Sequence, residues 1–174
     1  MDKYEAIQAK YDRIIRKCTE KAQPNIIVWG PGRSDAELYK KRECVRKAIQ
    51  HVVPNGVVIF PEDPKVTRLT KEVLGGGDLH DRELLQAQGA DIIIALDLSP
   101  AVGEEIARHS ANPDIAGKMF VITTDGNKSA YQKAIRDVFM IHVLKADEMD
   151  SCEEPIKRCV GHVRCWCFRN DSRK

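Results

Sequence analysis

The chain lacks any apolar run approaching the ~20 residues that a membrane-spanning helix needs, so no bilayer insertion is expected. Its first residues, Met1-Asp2-Lys3-Tyr4-Glu5, carry no signal-peptide apolar region, and the expected compartment is cytoplasmic. An excess of one charge sign is missing too. With 28 Lys and Arg against 26 Asp and Glu the net charge is +2, which gives no electrostatic case for nucleic acid as a partner. Without an export signal, the six cysteines are expected to stay reduced. The chain has no Walker loop either. Gly30-Pro31-Gly32-Arg33 is followed by no Lys-Ser/Thr and falls short of the three-glycine dinucleotide fingerprint.

What is present is an ordinary globular composition, 43% hydrophobic and 31% charged over 174 residues. A chain of this length buries roughly 70% of its unfolded surface, and one domain is expected. Short apolar segments alternate with helical patterns. Tyr4, Ile7, Tyr11, Ile14, Ile15 and Cys18 are spaced three or four apart and predict a leading amphipathic helix over residues 1–23, for packing or self-association. Ile26-Ile27-Val28-Trp29, Val57-Val58-Ile59-Phe60, Ala90 to Leu96, Lys118 to Thr123 and Ile141 to Leu144 read as strands without polar alternation, the mark of burial on both faces. Between them, Ser34 to Val53 predicts a helix with Leu38, Val45, Ala48, Ile49 and Val52 inward and the basic residues Lys40, Lys41, Arg42, Arg46 and Lys47 largely in solvent. Further helices are expected over Lys65–Leu74, Leu79–Gln88, the stretch after Ser99, and Lys128–Phe139.

This alternation calls for an α/β protein with three layers, flavodoxin- or Rossmann-like, built on a five-stranded parallel sheet in the order 2-1-3-4-5. The leading helix and a helical tail are additions. The core is expected over 25–145 and the C-terminal extension over 146–174. In that tail Cys152, Cys159, His162, Cys165 and Cys167 are candidate zinc ligands by type, but their gaps match no common ligand spacing. A terminal helix burying cysteines, Val160, Val163 and Trp166 is expected instead, with its basic end frayed in solvent. No metal and no cofactor are expected.

Chemistry concentrates where ligands bind in such sheets, outside the carboxyl ends of the strands. After β-branched Ile92-Ile93-Ile94, Ser99 can cap a helix that Pro100 opens, and Glu104 and Glu105 follow. Acids in a first turn also simply complement the helix dipole. The turn Gly30-Pro31-Gly32-Arg33 is a candidate phosphate cradle or a plain tight turn. Asp125, in a turn after the fourth strand, is a possible ligand contact. In the preceding helix Asp81 and Glu83 are both candidate acids, and periodicity does not choose between them.

Ala90-Asp91 with its aliphatic strand, then Ser99-Pro100-Ala101-Val102-Gly103-Glu104-Glu105-Ile106-Ala107-Arg108, resembles the signature of the nucleoside 2-deoxyribosyltransferase superfamily. It is most similar to the branch that hydrolyses 2′-deoxynucleoside 5′-phosphates. The resemblance spans residues 26–124. It implies Glu105 as nucleophile, Glu83 as the assisting acid (with Asp81 the alternative), and substrate contacts from Ser99, Gly103, Asp97 and the Gly30, Pro31, Gly32, Arg33 loop. His80 and the glycines before it also match. The chain departs from the family pattern at Ala101 and Ala107, where the family has glycine, at Pro100, and at Glu83, where Asp is usual. The implied activity is N-glycosidic cleavage of a nucleoside or nucleoside 5′-phosphate, by hydrolysis or by transfer. The alternatives are an NAD glycohydrolase, or a nucleotide-sensing module without turnover, which the departures favour. The expected partner is a small-molecule nucleotide, and the family implies a homodimer.

Overall fold

The computed structural model describes residues 2–124 and 140–173. The turn at Asp125 and the helix expected over 128–139 lie outside them. Among the described residues thirteen elements occur in the order α1 (Lys3–Lys21), β1 (Asn25–Trp29), α2 (Ala36–Val52), β2 (Val57–Ile59), α3 (Pro64–Leu74), α4 (Leu79–Gly89), β3 (Ile92–Asp97), α5 (Pro100–Ser110), α6 (Pro113–Ala116), β4 (Met119–Thr124), β5 (Met140–Leu144), α7 (Ala146–Asp150) and α8 (Glu153–Asp171). The five strands form one sheet in the order β2-β1-β3-β4-β5, and every pairing is parallel. This is the flavodoxin-like order expected from the sequence.

Burial explains why the strands lack polar alternation. All six residues of β3 are buried, and successive side chains serve opposite layers. Ile92, Ile94 and Leu96 join Ile26, Val28, Val45, Ile49, Cys159 and Val163 on one face of the sheet. Ile93 and Ala95 join Ile27, Trp29, Val102 and Ile106 on the other. A fully buried Ile or Leu contributes ~1.5–3 kcal/mol, so a polar residue anywhere in β3 would need a partner. Asp97 has one at the strand's end, where Thr123 Oγ1 donates to Oδ2 at 2.8 Å.

Local signals set the helix boundaries. Asp78 accepts from the Asp81 N–H and Asp81 accepts from the Asp78 N–H, a capping box that starts α4. Gly75, Gly76 and Gly77 all have positive φ, at 63°, 133° and 69°, a path between α3 and α4 that side-chain-bearing residues would strain. Ser99 stands at the N-cap of α5 in extended backbone, with Pro100 in the first turn.

Two expectations are corrected. The tail is not frayed: α8 packs on α1 and α2, and Cys159, Val163 and Cys167 are buried. Its inward stripe runs through those three at spacings of four, and Val160 lies beside it. Arg42 is not in solvent with its basic neighbours. It is 2% exposed, among the largest fully buried side chains of the protein. On α1, by contrast, only Cys18 and Thr19 are buried, leaving Tyr4, Ile7, Tyr11 and Ile14 an uncovered stripe. No helix among the described residues is long and apolar enough to cross a membrane.

Candidate active site

Parallel strands end together, and their outgoing loops meet where the chain order reverses between β1 and β3. Here those loops, with α4 and α5, enclose a cleft of about 580 Å³. Gly30, Gly32 and Arg33 line it from the end of β1, Pro61 and Glu62 from the end of β2, Glu83 and Gln86 from α4, and Glu105 from α5.

Arg42 forms the floor. Its Nε and Nη2 donate to the Val28 carbonyl at 3.1 and 2.7 Å. Nη1 donates to the Pro31 carbonyl at 3.3 Å and to Glu62 at 2.6 Å, and Nη2 to the other Glu62 oxygen at 3.0 Å. The guanidinium also stacks over Phe60, 4.1 Å from the ring centroid, an arrangement suited to Arg and not to Lys. A Cβ on Gly30 would stand 2.9 Å from Arg42 Cδ. The glycine at this turn is therefore required by the close approach of a buried cation. The fork ties β1, the loop after it and the end of β2 into one rigid wall.

Glu105 sits on the second turn of α5, part-buried, while Glu104 beside it is exposed. Burial raises the Glu105 carboxyl to about 7; the charges of Glu83 and Glu62 add to the rise, and Arg42 and Arg108 oppose it. Glu105 and a second acid thus face one cleft. Glu83 is the second of them, its side chain 16% exposed, with Arg108 Nη1 at 3.7 Å and His109 Nε2 at 3.9 Å from its Oε2. His109 is buried against the Trp29 ring, centroids 5.1 Å apart, and its Nε2 has no hydrogen-bond partner.

The structure thus brings Glu105, Glu83, Gly30, Gly32 and Arg33 to one cleft. Pro31 is buried beside it and contributes its carbonyl to Arg42. Asp97, Ser99 and Gly103 gather at the β3–α5 junction, outside the cleft lining. Asp81 is exposed, and its carboxylate is engaged in the α4 capping box. Arg42 and His109 escaped the sequence reading as site residues, although spacing marks both of them. Arg42 completes the stripe Leu38, Val45, Ile49, and His109 completes Val102, Ile106.

Fold and cleft together define a parallel α/β protein with an acidic pair at the strand switch point. No protein-family model and no curated protein matches the sequence. Among solved structures, this chain is similar to the CMP N-glycosidase BcmB of Clostridium botulinum, with 15% identity and a TM-score of 0.47 over 77% of this chain and 95% of that one.

Proposed function

We propose that this cleft cleaves the N-glycosidic bond of a nucleoside or nucleoside 5′-phosphate, with Glu105 as the nucleophile. The observation that carries the reading is the part-buried carboxyl of Glu105 in an open cleft, facing a second acid and raised toward neutrality. Breaking such a bond builds positive charge on the sugar ring, which a carboxylate at the anomeric carbon stabilises and then captures. Glu105 forms an ester to C1′ while the C1′–N bond breaks, and the bond's electron pair leaves with the base. The departing base takes a proton relayed by Glu83, and the water that attacks next gives one back. Water then attacks C1′, releases the free sugar or sugar phosphate, and returns Glu105 as a carboxylate. A second base in place of water gives transfer.

Arg42 has each of its nitrogens committed to carbonyls or to Glu62. A substrate phosphate is therefore left to the other cations of the cleft, Arg33 and Arg82, assisted by the N–H groups of the Gly30 loop. The test is incubation with a panel of nucleosides, nucleoside monophosphates and NAD, followed by chromatography for free base. Base release that Glu105→Gln abolishes supports the reading, and release from NAD alone would assign the glycohydrolase variant. Stabilisation by a nucleotide with no release from any compound refutes catalysis and leaves a sensing module.

A further inference from the structure

The first turn of α4 and the last turn of α5 face each other beside the cleft, and what they present is unlike the rest of its wall. His80, Glu83 and His109 each offer a donor atom, and these atoms all lie within 4.8 Å of one another. Among the described residues this is the one such cluster. His109 is 2% exposed, and its Nε2 is buried without a partner. A buried imidazole nitrogen left orphaned is destabilising. It points toward Glu83 Oε2, at 3.9 Å, too far for a hydrogen bond. Its ring stands 5.7 Å from that of His80, at 29°.

We infer that His80, Glu83 and His109 form a binding site for one divalent transition-metal ion, with zinc the best fit. Two neutral imidazoles and a carboxylate are a borderline donor set that suits zinc and leaves a fourth position open. Donors about 2.1 Å from a tetrahedral ion lie about 3.4 Å apart, so the 3.9 Å between His109 and Glu83 closes with a small movement. His80 is exposed and free to swing inward. The ion has one competitor. Arg108 Nη1 lies 3.7 Å from the same Glu83 oxygen, and this half-exposed side chain must turn out to solvent when the ion enters.

Binding stands on this geometry alone, whereas its effect on turnover rests on the proposed function. An ion on Glu83 removes the second acid from the cleft, so zinc acts as an inhibitor. The experiment titrates the full chain with cobalt(II), whose spectrum reports its donors. Thiolate ligands give an intense near-ultraviolet charge-transfer band, whereas nitrogen and oxygen give only weak visible bands, which separates this site from the six cysteines. One equivalent bound without the thiolate band is expected, displaced by zinc, weakened at least ~10-fold by His80→Gln and strengthened by Arg108→Gln. No thiolate-free equivalent, or wild-type affinity in His80→Gln, overturns the site. Base release that zinc inhibits in wild type but spares in His80→Gln links it to turnover. Base release that zinc leaves untouched overturns the inhibitory role. Absence of base release from every compound fails the proposed function and leaves the binding titration to decide the site.

Discussion

Glu105→Gln should stabilise the protein, and by an amount that grows with pH. The folded protein holds this carboxyl at about 7 against an ordinary value of 4.5. A pKa raised by folding means that the folded state binds the proton more tightly than the unfolded chain. Stability is therefore greatest at low pH and falls as pH rises between those two values. At about 1.4 kcal/mol per pH unit, the raised Glu105 carboxyl costs about 1 kcal/mol at pH 5 and about 3 kcal/mol at pH 8. These are upper bounds, because the side chain keeps some contact with water. Glutamine has the same shape and no charge, so it removes this slope. In a domain of this size each kcal/mol moves Tm by about 2–4 °C, so the gain in Tm at pH 8 should exceed that at pH 5 by several degrees. Thermal melts of both proteins across pH 5–8, with a chelator present to keep the His80–Glu83–His109 cluster metal-free, measure this directly. A difference in Tm that is flat with pH would refute the buried, ionisable Glu105 and with it the strained carboxylate that the mechanism uses. On the proposed function, loss of base release should accompany the gain in stability, the trade-off expected where a strained group does the chemistry.

The remaining predictions are shorter. As the proposed nucleophile Glu105 must be ionised, so kcat/KM should fall below about pH 7; Glu83→Gln removes a neighbouring negative charge and should move that acid limb to lower pH, which a pH–rate profile checks. Gly30→Ala places a methyl 2.9 Å from Arg42 Cδ and should cost ~1–3 kcal/mol in urea unfolding. Arg42→Ala strands the Val28 and Pro31 carbonyls and leaves Glu62 without its cation; a loss of ~2–4 kcal/mol is expected. The stripe Tyr4, Ile7, Tyr11 on α1 should drive self-association, which light scattering reads as a dimer mass that Tyr11→Asp returns to the monomer.

The fold was legible because the three central strands, β1, β3 and β4, are buried on both sides and carry apolar residues at nearly every position, a pattern that needs no neighbour to interpret, whereas the edge strands β2 and β5 are partly exposed. The bracketing signals were equally local, such as Pro100 after Ser99 and the glycines after Leu74. At the candidate site, Glu105 was expected from its register in the signature, which also put the helper on Glu83, whereas periodicity alone did not choose between Asp81 and Glu83. A helical wheel places both near the same stripe, and only the Asp78–Asp81 capping box, three residues apart, shows where one carboxylate is occupied. Arg42 was misread because charge outweighed position. It lies among four other basic residues, and its burial depends on carbonyls and a Glu that come from distant parts of the chain. His109 was missed for the related reason that its surroundings, Trp29 and Glu83, are assembled only in three dimensions.

The saturated guanidinium beneath the cleft has a consequence for how substrate preference can change. Glu62 occupies Nη1 and Nη2 from the open side, its own side chain 42% exposed. A chain with glutamine or alanine at 62 would keep the three main-chain bonds to Val28 and Pro31, and would turn the freed half of the guanidinium toward the ligand. On the proposed function, selectivity between a neutral nucleoside and its phosphate would then rest on a single rim residue, without disturbing the two cleft acids.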